Sequence, residues 1–405
     1  MDLGNSHRFL SRVVRLRGHT PATVAYYVSY IALGLSLAAT GPNLSRLATQ
    51  TGSVLSEISY LFTGISLGYM VGAALGGRLF DRIKGHPALA VMMLAIAAFL
   101  GLVPLAHKLW MLIAVMFLLG AVQSALDVGA NTLLTWIHQD NLAPYMNALH
   151  FFFGVGAFLS PILVAQMNIA GGGILWTYWT LALLMLPVAI WFAAVTSPPI
   201  RTVPVKEGGR TNRVLILLIV AAFFLTVGVE VGFAGWIFTY ATNLDLADET
   251  WAAYLTSAFW GSFTVGRLVG IPIAGRFRPQ TILLGDLLGC VLCVGLILLW
   301  PGSRTALWIG AIGLGFSLAS VFATLLSLAG EHLHITGKIT GWFFVGTSSG
   351  AMVVPWMIGQ LFETWGAIVT MVVLMGNLSL GLGTVLMIMI YIRRAAGLTE
   401  GRTAA

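Results

Sequence analysis

Apolar residues run along this chain in long blocks with short polar breaks between them. The blocks show neither the strict alternation of a half-buried strand nor the narrow stripe of a helix lying on a soluble core. About 20 apolar residues carry a helix across a bilayer. Twelve blocks reach that length: 22–46, 54–78, 87–107, 109–136, 144–167, 172–195, 214–243, 251–275, 280–300, 305–331, 339–361 and 367–392. They are numbered as spans 1 to 12. A membrane β-barrel would need short alternating segments instead. The pattern therefore predicts an all-α polytopic membrane protein. One break is longer than the rest. Over 197–213 it carries Pro198, Pro199, Pro204 and the basic residues Arg201, Lys206, Arg210 and Arg213, the composition of a linker. The expected organisation is a basic N-terminal segment (1–21), a six-helix bundle (22–196), a cytoplasmic linker (197–213), a second six-helix bundle (214–393) and a tail (394–405).

Composition agrees. Of the 405 residues, 58% are hydrophobic and 9% charged, where a soluble domain carries about 25% charged residues. The formal charge of +7 is a matter of topology. With both termini in the cytoplasm, 17 of the 21 Lys and Arg fall on that side, Arg46, Lys108 and Arg304 fall outside, and Arg267 lies within span 8. The positive-inside rule favours that orientation. Because the charges sit in separate short loops, no nucleic-acid partner is expected. The first twenty residues have no apolar core, so no cleavable leader is expected. The stretch from His7 to Arg17 reads equally as an interfacial amphipathic helix or a basic tail. Cys290 and Cys293, i and i+3 in span 9, read as small packing residues.

Two stretches repeat. Gly68, Val71, Gly72, Gly77 and Arg78 of span 2 recur at one offset as Gly266, Val269, Gly270, Gly275 and Arg276 of span 8. Gly156-Ala157, Pro161 and Gln166 of span 5 recur as Gly350-Ala351, Pro355 and Gln360 of span 11. The repeated spans run in the same direction, which predicts two halves related by an axis along the membrane normal.

Gly77-Arg78-Leu79-Phe80-Asp81-Arg82, followed by Lys84-Gly85-His86-Pro87, resembles the loop between spans 2 and 3 of the major facilitator superfamily, with one extra residue before Gly85. The resemblance implies two pseudo-symmetric six-helix bundles. It gives Asp81 and Arg82 a gating role, with Asp81 at the start of span 11 near Thr340, where a helix N-terminus favours an anion. Within the superfamily the chain is most similar to the sodium-dependent glucose transporter and fucose permease branch. The residues that carry this are Asp127 to Asn131 in span 4, Pro144 to Phe151 and Gly154 to Phe158 in span 5, Glu230 to Ala241 in span 7, Phe259 to Phe263 in span 8 and Gly341-Trp342-Phe343 in span 11. In fucose permease a second acid stands in span 1; Leu35 to Pro42 here has none.

Ionisable groups within a span usually face a cavity or a partner. Gln123, Asp127 and Asn131 are spaced i, i+4, i+8 on one face of span 4. They read either as a hydroxyl-binding array or as interhelical glue. Asn147 and His150 share a face of span 5 and would complete one wall of the substrate site, and Glu230, between Gly228 and Gly232 in span 7, reads as a substrate acceptor on the opposing wall or as a cation ligand. Asp127, Glu230 and His150 are candidates for ion coupling. Arg267 reads as a gating residue or as a salt bridge between the halves. Trp236, Trp260 and Trp342, with Tyr27 and Tyr30, are candidate stacking surfaces for a sugar ring. No phosphate-binding loop, metal cluster or cofactor motif is present, so neither an enzyme nor an ATP-driven pump is expected. Ser160-Pro161-Ile162-Leu163 lacks the glycine pattern of drug antiporters. The expected function is secondary active transport of a neutral, hexose-like sugar with Na+ or H+ symport, by a monomer in the plasma membrane. A facilitator or exporter of another polar solute is the alternative within transport, and a non-transporting receptor or scaffold the alternative outside it.

Overall fold

The computed structural model describes residues 3–139, 142–200, 212–333 and 337–403, with side chains over 20–139, 142–200, 212–333 and 339–394. The described residues are helices joined by short turns, with no strand among them. Ten helices are long and apolar enough to cross a membrane. Glu249–Ala274 and Gly337–Trp365, spans 8 and 11, complete the twelve. These two are less apolar because they carry Ser257, Thr264, Arg267, Ser348 and Gln360 among their apolar residues.

Three of the twelve expected spans are interrupted. Span 1 is Leu3–Ala38 followed by Thr40–Thr51, and span 2 is Leu55–Ile58 followed by Tyr60–Phe80. Span 10 is interrupted only by an irregular turn at Ala319–Ser320, both in the right-handed helical region, between Arg304–Leu318 and Val321–His332. The first helix includes the basic segment, whose side chains up to residue 19 lie outside the described residues. Of the linker, 201–211 lies outside them too. Local chemistry sets several ends. Asn212, Asp248 and Ser303 each accept a backbone N–H of the turn that follows, opening spans 7, 8 and 10. Gly52 closes Thr40–Thr51 in the left-handed region at φ +65°, returning its N–H to Ala48 and Thr49 carbonyls.

Helices in lipid gain little from hiding apolar surface from one another; close approach through small residues holds them. The seams here are built that way, and they are duplicated. Spans 1 and 5 meet at Gly156, where a Cβ would lie 2.0 Å from the Ile31 carbonyl; spans 7 and 11 meet at Gly350, 2.0 Å from that of Phe224. Spans 2 and 4 meet at Gly68 against Phe117 and Gly120 against Ile65; spans 8 and 10 meet at Gly266 against Phe316 and Gly315 against Phe259.

With an even number of spans, both termini lie on one face, called proximal here; the other is distal. The halves close on the distal side. Gly41 of span 1 lies against the Ala234 carbonyl of span 7, and Gly359 of span 11 against Ser59. Arg46 bridges Asn168, at 2.6 Å, and Glu249 of the other half. Gln360 donates to the Ser56 carbonyl at 2.7 Å, and the Leu55 N–H donates to Glu363 at 2.9 Å. On the proximal side Asp81 and Arg82 are exposed, and Asp81 makes no hydrogen bond or ion pair with a described residue. The contact expected between Asp81 and the start of span 11 is not made in this state.

Candidate functional site

Spans 5 and 8 cross where Gly154 meets Thr264; a Cβ on Gly154 would stand 2.2 Å from Thr264 Oγ1. Just distal, Gly261 packs on Phe158. The crossing forces the side chains one turn to the proximal side into a shared space. Span 5 contributes His150 there and span 8 contributes Arg267. Trp260, Phe263 and Arg267 share a face of span 8, spaced at i, i+3 and i+7. The Arg267 guanidinium lies over Phe263, 4.7 Å from the ring centroid, a cation–π arrangement. Trp260 meets Phe263 and Phe153 edge-on, at 5.5 and 6.3 Å between centroids.

This wall carries unspent hydrogen-bonding groups. Arg267 Nε and Trp260 Nε1 are buried with no partner. No carboxylate of a described residue stands within 4.0 Å of Arg267, which corrects the reading of it as a salt bridge between the halves. It does interact electrostatically with Glu230 of span 7 and His150 of span 5. Glu230 and His150 are half-buried and make no hydrogen bond with a described residue. A guanidinium, a carboxylate and an imidazole thus lie within electrostatic reach of one another where spans 5, 7 and 8 meet, with the Trp260 indole on the same face of span 8. Unpaired buried polar groups are costly, and such a set suits a ligand rich in hydroxyls or carbonyls.

Asp127 is differently placed. Tyr69 of span 2 donates to its Oδ2 at 2.6 Å, and Asn131 donates to its Oδ1 at 2.9 Å. Tyr30 of span 1 makes a further short bond to it and receives one from Asn131. The carboxylate is caged by three donors inside the first half and ties spans 1, 2 and 4. Tyr30 connects this cage to the central space, its ring edge-on to His150 at 5.8 Å. Gln123 donates to Ser36 at 2.6 Å and is buried, so it acts as a clamp between spans 1 and 4.

The other expected site residues disperse. Asn147 is exposed near the proximal end of span 5. Trp236 is fully buried, its N–H given to the Pro355 carbonyl at 2.9 Å and its ring stacked on Phe362 at 5.2 Å. It belongs to the packing of spans 7, 11 and 2. Trp342 is exposed and lies 13 residues before Pro355, roughly 20 Å along span 11 at 1.5 Å per residue. Tyr27 stacks on Phe152 at 4.9 Å. Sequence reasoning missed Tyr69 and Phe153, whose part depends on helix crossings. It also missed Asp286, an acid within span 9 that the rule applied to Asp127 would have singled out. Cys290 and Cys293 are free thiols on the same span.

The arrangement of two similar bundles around a polar space can be set beside known proteins. The pattern of the Major Facilitator Superfamily matches residues 26–355. This chain belongs to the major facilitator superfamily. Within the superfamily its relatives lie in the branch that the span 4, 5 and 7 segments resemble. Sodium-dependent glucose transporter 1A of Mus musculus is 30% identical over 83% of this chain and 88% of its own length. Sodium-dependent glucose transporter 1 of Xenopus laevis is 32% identical over 81% and 73%. A crystal structure of a mutant nucleoside transporter NupG superposes with a TM-score of 0.75 at 11% identity, over 90% of this chain and 98% of that one, and shows the shared fold. The chain is a multi-pass membrane transporter and not an enzyme.

Proposed function

We propose that this superfamily member carries a neutral, hexose-like sugar by alternating access, coupled to a cation gradient. The observation that carries the reading is the set of unpartnered polar groups on spans 5, 7 and 8. Arg267 Nε and Trp260 Nε1 offer donors to sugar oxygens, and Glu230 offers an acceptor to sugar hydroxyls, a charge-assisted bond. Trp260 and Phe153 supply apolar faces for the ring. His150 completes the proximal wall. The names of the relatives support a sugar as substrate and Na+ as one candidate ion. The distal closure with an uncommitted Asp81 reads as an inward-facing state, the proximal face being cytoplasmic by the distribution of Lys and Arg. Asp81 and Arg82 would engage the second half in the opposite state. Asp127 is assigned a structural role within the first half in place of a hydroxyl ligand.

On the distal surface an open depression of about 440 Å³, of mixed polar and apolar lining, is bordered by Ser45, Thr49, Thr242 and Glu363. It would be the outer end of the path. The test is uptake of radiolabelled glucose into proteoliposomes, with and without imposed sodium and proton gradients. Exchange by the wild type that collapses in Arg267→Gln and Trp260→Ala supports the site. Exchange that survives both substitutions moves the sugar elsewhere.

A further inference from the structure

The second half holds an acid that this site does not use. Asp286 stands in span 9, Pro279–Leu299, roughly 10 Å from its proximal end at 1.5 Å per residue. It is half-buried and accepts one hydrogen bond, from Ser320 Oγ at 2.6 Å. Ser320 is at the break of span 10. One turn earlier Ser317 faces the same seam: a Cβ on Gly289 of span 9 would lie 2.5 Å from its Oγ. An ionisable group at such depth is retained for a partner or a function, and here the partner is a single hydroxyl.

Behind the break lies span 8. A Cβ on Gly266 would stand 2.8 Å from Ala319 Cβ, and one on Gly270 would stand 3.5 Å from Ser320 Cβ. Between these two glycines is Arg267, whose guanidinium lies over Phe263 and interacts with Glu230 and His150. A continuous line of contact therefore runs from Asp286 through Ser320 and span 8 to the guanidinium of the substrate wall. The line passes through the interruption of span 10 at Ala319–Ser320.

We infer that Asp286 is a proton-binding site that communicates with the substrate wall through the break in span 10. The inference rests on the transport reading above for its coupling, though not for the proton site itself. A proton taken up in the distally open state adds to a carboxylate oxygen, giving a neutral carboxylic acid, and is released to the proximal aqueous phase in the distally closed state. On protonation Ser320 loses its anionic acceptor and is free to bond within its own helix. The break shifts, and span 8 carries Arg267 with it. Among the described residues no charged group of spans 8, 10 or 12 acts on Asp286, and Cys290, one turn along span 9, is the titratable neighbour. One carboxylate and two hydroxyls suit a proton better than a sodium ion, which needs a fuller shell of oxygens. Asp127, already held by three donors, is a poorer acceptor for a travelling proton.

The test uses the purified full chain. The infrared difference spectrum between acid and alkaline protein should contain a protonated-carboxyl band that Asp286→Asn lacks. In proteoliposomes Asp286→Asn should exchange labelled glucose at the wild-type rate but accumulate none under a proton gradient. Ser320→Ala should still accumulate, with its pH profile displaced, a change that a purely structural hydrogen bond would not produce. The inference is overturned if the band survives in Asp286→Asn, if that variant accumulates as wild type does, or if wild-type accumulation follows sodium and ignores protons. A protein that shows the Asp286 band yet exchanges no hexose keeps the proton site and overturns the sugar reading instead.

Discussion

The two halves share one plan and differ at one seam. Spans 2 and 4 are locked: a Cβ on Gly72 would lie 2.0 Å from the Ala121 carbonyl, and span 4 is one unbroken helix, Leu109–Ile137. At the matching place in the second half, Gly270 has 3.5 Å to Ser320, and span 10 is interrupted beside it. The acids differ in the same sense. Asp127 has Tyr30, Tyr69 and Asn131 as donors, whereas Asp286 has Ser320. At this seam the duplicated chain has kept a tight contact in the first half and a looser one in the second, while the first half carries its own interruptions at Ala39 and Ser59, toward the distal side. On the proposed reading of the site, the looser contact lies on the side that carries Arg267.

Substitutions at matched positions can break this comparison. The largest effect is expected at the glycines. Gly72→Ala forces spans 2 and 4 apart and should cost about 3 kcal/mol, the upper end for overpacking, while Gly270→Ala should leave the melting temperature in detergent nearly unchanged. Equal losses would mean the seams are equally tight. Next come the acids. Asp127→Asn weakens three charge-assisted bonds and should cost about 2 kcal/mol. Asp286→Asn should cost less than half as much, and thermal unfolding of the pair decides it. Third, Trp260→Phe keeps the ring but removes the free N–H, which should raise the Kd for glucose roughly fivefold, about 1 kcal/mol; isothermal titration would reveal an unchanged affinity if the indole does not touch the sugar. The smallest effect concerns the distal closure. Arg46 and Glu249 form a partly exposed pair, worth no more than about 1 kcal/mol. Glu249→Gln should therefore raise distal-side labelling of an introduced cysteine at Ser45 only a few-fold, and unchanged labelling would remove the pair from the gate.

The architecture was legible because lipid imposes it. Twelve apolar blocks, a proline-rich break and two offset repeats led to the bundles; of the repeated glycines, Gly68, Gly72 and Gly156 and their counterparts Gly266, Gly270 and Gly350 lie in the seams, while Gly77 and Gly275 meet no neighbouring span. The site was legible only in part. Glu230, His150, Trp260 and Arg267 stood out as polar or aromatic residues in apolar runs, and they converge at the crossing of spans 5 and 8. Asp127 stood out for the same reason and proved to be caged, because donors from two other spans decide its role and no spacing along span 4 reveals them. Trp236 looked like Trp260 along the chain; what separates them is that the Trp236 N–H donates to the Pro355 carbonyl while that of Trp260 has no partner among the described residues. The break in span 10 left no signal, since it contains neither glycine nor proline: its residues are Ala319 and Ser320.

Spans 8 and 11 also bear on how the protein is made. A segment leaving the ribosome is released into lipid according to its own hydrophobicity, and a central arginine opposes release by about 3 kcal/mol on the insertion scale. Glu249–Ala274 carries Arg267 and falls outside the helices apolar enough to be recognised singly. It must wait beside the far more apolar Arg213–Asn243 and Pro279–Leu299 and enter in their company. The residues that shape the central space are for that reason the ones on which biosynthesis is slowest to commit. Chains truncated just after Ala274 should be degraded by quality control more readily than chains truncated after Leu299.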